Sequence, residues 1–134
     1  MKHLEYNLQK ALCRYLALTY PHVRFMSTGT SLKLTEAQAG RNKAIQDSRF
    51  KAPDLFIIQP KVTMDGLYNP TFHGGLWLEL KIESPYKKDG TIKKNEHLQE
   101  QEKSLNELKM MGYCAEFVWT YEMGILLIDN YLKN

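Results

Sequence analysis

The sequence predicts an α/β fold in which a mixed β-sheet carries helices on its faces. Three observations lead there. Residues 3–19 and 98–112 place apolar side chains at a helical period. Two apolar stretches, 52–60 and 76–82, have strand length and strand alternation. A helix-patterned segment separates the second of these from another strand at 113–120. A strand–helix–strand step of that kind crosses to a parallel neighbour.

The elements follow in order. In 3–19 the apolar positions are Leu4, Leu8, Ala11, Leu12, Tyr15, Leu16 and Leu18, and Pro21 stops the helix at or before Tyr20. Residues 22–28 read as a short strand and 29–34 as a loop. Residues 35–48 read as a helix with Thr35 as N-cap, weakened by Gly40. The strand 52–60 closes at Pro60. The connector 61–75 holds Gly66, Pro70, Gly74 and Gly75, so it reads as turns alone. The strand at 76–82 is expected to pair with 52–60 as a long hairpin. Leu76, Leu78, Leu80 and Ile82 line one of its faces, and Trp77, Glu79 and Lys81 the other, wet one. A polar loop at 83–97 leads to the helix 98–112, stopped by Gly112. Residues 123–132 close the chain as a helix or a strand–helix mixture. The expected order is α β α β β α β α, in one domain over 1–134.

Composition narrows the class. The chain has 134 residues, 43% hydrophobic and 25% charged, the proportions of a soluble globular protein. No apolar run is long enough to cross a membrane. The charged and amide residues Glu5, Gln9, Lys10 and Arg14 exclude a signal peptide at the N-terminus. Cys13 and Cys114 stand far apart and read as reduced, buried thiols of a cytoplasmic protein. No Cys/His cluster has zinc spacing. The net charge of +3 and pI of about 8.8 are mildly basic. That charge is gathered in two clusters. Lys33, Arg41, Lys43, Arg49 and Lys51 precede Asp54, and Lys87, Lys88, Lys93 and Lys94 follow Lys81. Such clusters suit contact with a phosphate backbone.

Between the clusters lies a constellation of acids. If the strands at 52–60 and 76–82 are neighbours, Asp54 faces Glu79 across the ladder, where paired positions lie ~5 Å apart. Two carboxylates that close repel unless a cation joins them. Carboxylates, a backbone carbonyl such as that of Leu80, and water suit Mg²⁺ or Mn²⁺ rather than zinc. Lys81, beside Glu79, is placed to hold an attacking water or steady a phosphoryl oxygen. The set suits metal-assisted hydrolysis of a phosphodiester.

Pro53-Asp54 followed by Glu79-x-Lys81 resembles the motif of the PD-(D/E)XK nucleases. Glu5, near the start of the first helix, is similar to that family's accessory acid on the metal side. Gln101 follows on a helix, with Leu108 and Gly112 beyond it leading into a strand, the pattern of the VRR-NUC subfamily of virus-type replication–repair nucleases. The resemblance runs from Glu5 to Leu132. It implies a restriction-endonuclease-like fold and a stand-alone nuclease of phage or prophage type, located in the cytoplasm of a bacterial or phage-infected cell. It implies Asp54, Glu79, Lys81 and Gln101 as catalytic residues, with Glu5, Asp54, Glu79 and Leu80 holding Mg²⁺ or Mn²⁺. The implied substrate is branched, Holliday-junction-like DNA, cut by a homodimer in DNA repair. The chain departs from the pattern twice. Phe50-Lys51-Ala52 stands where a Gly is expected before Pro53, and the connector 61–75 is longer than expected. Two other functions compete: a nucleic-acid-binding module without catalysis, and an interaction domain in which Glu79–Lys81 is a surface ion pair. His73 and His97 read as polar-loop residues rather than general bases, and Tyr68 and Tyr86 as weak candidates for base stacking.

Overall fold

The computed structural model describes residues 4–29 and 34–133. Helix α1 (Leu4–Thr19) leads to β1 (Arg24–Ser27), α2 (Glu36–Ala44), β2 (Leu55–Ile58), β3 (Lys61–Met64), β4 (Pro70–His73) and β5 (Leu76–Leu80). Helix α3 (Glu96–Met110), β6 (Cys114–Val118) and α4 (Tyr121–Lys133) complete the chain. The main sheet has the order β1-β2-β5-β6, and β3-β4 form a separate two-stranded sheet. Strands β1, β2 and β5 are mutually antiparallel, while β6 runs parallel to β5 across α3. The architecture is thus the expected mixed sheet flanked by helices.

The connector is where the expectation fails. Residues 61–75 are not turns alone but contain the β3–β4 hairpin. Glycines and Pro70 mark its tip and ends, and two four-residue strands between them are too short for a clear alternation. The order therefore gains two strands. Three boundaries also contract. Strand β2 begins only at Leu55, α2 ends at Ala44, and β5 ends at Leu80, so Glu79 lies near the strand's end and Lys81 just beyond it. Ile82, assigned to the apolar face, is exposed. The polar loop holds a bridge between Tyr86 and Ile92, and α3 starts at Glu96 on an Asn95 cap. Thr35 caps α2 with Gln38 in a reciprocal capping box.

The sheet has no wet centre. Leu76, Leu78 and Leu80 pack with Leu12 and Leu16 of α1 and Ile128 and Tyr131 of α4. On the opposite face, Trp77 packs with Leu105 and Leu108 of α3 and Ala115 and Phe117 of β6. Each fully buried leucine contributes ~1.5–3 kcal/mol. Helix α4 crosses α1 closely because Gly124 has no side chain: a Cβ there would come within 2.7 Å of Leu12. A Cβ on Gly75 would meet the Phe56 ring at 2.5 Å, and that ring stacks on Trp77 with centroids 4.1 Å apart. Cys13 and Cys114 are free and only half-buried, bordered by Ser27 and His73.

Candidate active site

The site is built at the end of the sheet where β2 begins and β5 finishes. Pro53 is fully buried and sets up the corner that Asp54 occupies, one residue before β2. The Asp54 carbonyl accepts hydrogen bonds from Gln9 Nε2 at 3.0 Å and from the Thr28 N–H at 3.0 Å. Thr28 Oγ1 donates to the Pro53 carbonyl at 2.7 Å. The Asp54 carboxylate accepts the Leu80 N–H through Oδ2 at 2.9 Å. Helix α1 and strands β1 and β5 thus grip one corner.

Register brings Glu79 to the same place. Leu55 pairs with Leu78, so the next antiparallel step sets Asp54 beside Glu79. The two carboxyl groups share a hydrogen bond. Both are buried, Asp54 at 5% and Glu79 at 4% exposure. Burial, then the hydrogen bond and charge of Asp54, push the Glu79 carboxyl up to about 10; Lys81 pulls it down and Glu5 adds to the rise. Without a cation the buried pair therefore favours keeping one proton between its carboxyl groups at neutral pH. Glu5 is half-buried, and its carboxyl is raised chiefly by burial, opposed by Lys81, raised by Asp54 and lowered by His97. Those mutual influences make Glu5, Asp54, Glu79, Lys81 and His97 one electrostatic group. The Lys81 N–H donates to the Val118 carbonyl at 2.8 Å, which holds the residue in line after β5.

A surface ion pair between Glu79 and Lys81 is ruled out. Glu79 is buried, in register with Phe117 of β6, and no such pair is present among the described residues. Gln101 sits on the buried face of α3 at 7% exposure, one turn from Ser104 and Leu105. Its Oε1 has no hydrogen-bond partner among the described residues. An unpaired buried acceptor costs ~1–3 kcal/mol, so it marks a place for a donor. Among the described residues, no three His, Cys, Asp or Glu side chains form a ready metal cage. The donors that are present are hard oxygens: two touching carboxylates, with Glu5 acting from farther away. In hardness that set would suit Mg²⁺ or Mn²⁺ completed by water.

Two site residues escaped the sequence reading. Gln9 follows Glu5 by four residues, on the same face of α1, and ties that helix to the Asp54 corner. Their spacing was a readable signal. His97 stands not in a polar loop but in the first turn of α3, four residues before Gln101 and close enough to Glu5 to act on its charge. His73 lies instead on β4, bonded to Thr63 and Cys114. Tyr86 packs edge-on against Phe117 and Trp119, so it is core. Removing the Gln9 donor has a measurable consequence. Gln9→Leu is expected to cost about 1 kcal/mol in urea denaturation; an unchanged midpoint would show that the bond adds nothing.

The described basic residues are largely exposed, and they are unequal. Arg49 is held by Asp47 in a two-point contact, Lys51 pairs with Glu100 at 3.7 Å, and Lys93 with Glu83 at 3.8 Å. Arg41, Lys43, Lys87, Lys88 and Lys94 enter no ion pair among the described residues. Helix α2, which carries Arg41 and Lys43, buries none of its residues. Lys33 lies outside the described residues. No described helix is long and apolar enough to cross a membrane.

No family model matches the sequence, and no curated protein matches it. A solved structure titled "VRR_NUC domain protein" does match the fold, with a TM-score of 0.56 and 17% sequence identity. The match covers 96% of this chain and 88% of that one. The chain has the VRR_NUC fold.

Proposed function

We propose that this chain is a Mg²⁺- or Mn²⁺-dependent DNA endonuclease that hydrolyses phosphodiester bonds, with branched DNA preferred and a homodimer as the working form. The observation that carries the reading is the buried Asp54–Glu79 pair at the strand ends, with Lys81 next in line. Burying two acids together is unfavourable for folding and serves no purpose in a domain that only binds a polyanion. Asp54, Glu79 and the Leu80 carbonyl would hold the cation, with Glu5 on its outer side. When bound, the cation supplies Lewis acidity and balances charge that develops at phosphorus. The Lys81 ammonium stabilises a phosphoryl oxygen or orients the incoming water. The Gln101 Oε1 accepts a hydrogen bond from that water. The Leu80 N–H and Gln9 keep Asp54 in place throughout.

Incubation with supercoiled plasmid and with a four-way junction tests the reading. Cleavage is expected in Mg²⁺ or Mn²⁺, faster on the junction than on linear duplex, and none in EDTA. Absence of cleavage of every substrate with either cation would overturn it in favour of a binding module.

DNA contact has a separate signature. Lys87, Lys88, Lys94, Arg41 and Lys43 enter no ion pair among the described residues, and along the chain they precede Asp54 or follow Lys81. Affinity for junction DNA is expected to fall log-linearly with salt, and Lys87→Ala with Lys88→Ala to reduce that slope by about 2. A flat salt response would remove the phosphate contacts.

A further inference from the structure

One face of the main sheet is covered over only part of its width. Strand register puts Glu79 and Trp77 of β5, Phe56 and Ile58 of β2, and Met26 and Arg24 of β1 on that face. Helix α3 shields the β5–β6 half through Leu105 and Leu108. The β1–β2 half stays open. Met26 and Ile58 are exposed there, whereas Ile57, pointing the other way, is fully buried. Phe56 stands at the border and is half-buried. Its ring stacks on Trp77 with centroids 4.1 Å apart, and Tyr113 meets it edge-on at 5.9 Å. Those contacts fix the ring's orientation in the free chain, so little ordering is left for a ligand to impose. Arg24, at the far end of the strip, is exposed and enters no ion pair among the described residues.

We propose that this strip binds an unpaired nucleotide next to the phosphodiester held at the acid pair. The strip starts at the acids: the Thr28 N–H donates to the Asp54 carbonyl, Met26 pairs with Phe56, and Arg24 with Ile58. It moves away from them in two-residue steps of ~7 Å. One such step is close to the reach of a single extended nucleotide. A phosphate at Asp54 and Glu79 therefore places the neighbouring base over Phe56 and Met26, and a further phosphate beside the Arg24 guanidinium. The free part of an aromatic ring and a polarizable thioether suit the flat face of a base. A base inside a duplex has both faces stacked on its neighbours, so only an unpaired one fits. Phe56, Met26 and Ile58 together fall well short of the ~800 Å² per partner of a stable protein interface, which argues against a protein occupant. Arg24 supplies the charge that a nucleotide backbone needs and a bare apolar group does not. A branch point, where pairing is interrupted, offers such a base. The inference rests on the proposed function for the position of the cut phosphate, and it names the feature of branched DNA that the chain recognises.

The test is binding, in EDTA, of a short duplex that ends in a single-stranded overhang of either polarity, with a fluorescent aminopurine as the first unpaired base. The control is the same duplex fully paired. Wild type is expected to bind the overhang probe more tightly than the paired one and to quench the aminopurine. Phe56→Leu keeps apolar bulk without the π-face. It is expected to bind the overhang probe about tenfold more weakly, to lose the quench, and to bind the paired duplex as wild type does. A purely structural role for Phe56 would instead lower both affinities together. If a thermal melt shows Phe56→Leu unfolded, Met26→Glu on exposed β1 gives the same readout, since it sets a negative charge against the incoming nucleotide. Equal wild-type affinity for the two probes, a quench that survives in a folded variant, or a parallel loss on both probes would each overturn the inference. Plasmid cleavage in Mg²⁺, run beside it, reports on the nuclease reading alone: a chain that quenches the probe but never cuts loses that reading and keeps the strip.

Discussion

Lys81→Ala is expected to cut DNA at least about a hundredfold more slowly than wild type while binding it with similar affinity. Removing one donor that stabilises developing charge costs ~10²–10³ in rate, or about 2.7–4 kcal/mol of barrier. Lys81 is half-buried beside two acids, so its charge acts through little water, and it lies outside the exposed basic clusters that would hold the backbone. Lys81→Arg separates charge from shape. A guanidinium keeps the charge but not the compact ammonium, so it should recover little of the rate. Single-turnover cleavage of a labelled junction measures the first quantity, and a filter-binding titration in EDTA measures the second. Wild-type cleavage by Lys81→Ala would remove the residue from the reaction.

Glu79→Gln should reverse the usual effect of damaging a buried polar residue. In EDTA the variant is expected to melt no lower than wild type, because the amide keeps the shape and the hydrogen bond to Asp54 while discarding an acid that is held against its preference. The pH dependence follows from the raised Glu79 carboxyl. Folded, it keeps its proton up to about 10; unfolded, it loses the proton near its ordinary value of 4.5. Between those limits the folded chain binds more protons than the unfolded one. The stabilising contribution is therefore complete below the unfolded value and falls as pH rises towards the folded one. Metal-free wild type should lose stability across this window, by up to ~1.4 kcal/mol per pH unit. Glu79→Gln should show a flatter profile. Mn²⁺ at a hundredfold excess over Kd should raise wild-type stability by about 2.7 kcal/mol, on the order of 10 °C in Tm, and the variant by much less. Since binding displaces the shared proton, the wild-type gain should grow with pH. Thermal melts from pH 5 to 9, with EDTA or Mn²⁺, measure all of this. A wild type with no pH slope and no response to millimolar Mn²⁺ would show that the acids are not a metal site.

Much of this was legible in the residues because it is local. Helices α1 and α3 follow from a 3.6-residue period that survives any packing, and α2 from the Thr35 cap. Strand β5 follows from alternation, and the parallel step to β6 from the helix between them. Asp54, Glu79 and Lys81 could be named because the pairing of β2 with β5 fixes which side chains meet. Short elements were less legible. The β3–β4 hairpin has four residues a strand, too few for alternation to outweigh its glycines and prolines.

What no local pattern contains is the environment of those side chains. Glu79 and Trp77 alternate with leucines as they would on a wet strand. Glu79 is nonetheless buried, and Trp77 is partly covered by Leu105 and Leu108 of α3, farther along the chain. The grip of Gln9 on Asp54 spans 45 residues, and the effect of His97 on Glu5 spans two helices. The raised Glu79 carboxyl is likewise a property of the assembled fold. Periodicity is set by neighbours along the chain, so it can be read from residue types. Desolvation and charge coupling are sums over everything that packs nearby, so Glu79 becomes a buried, proton-holding acid only when the helices close over the sheet.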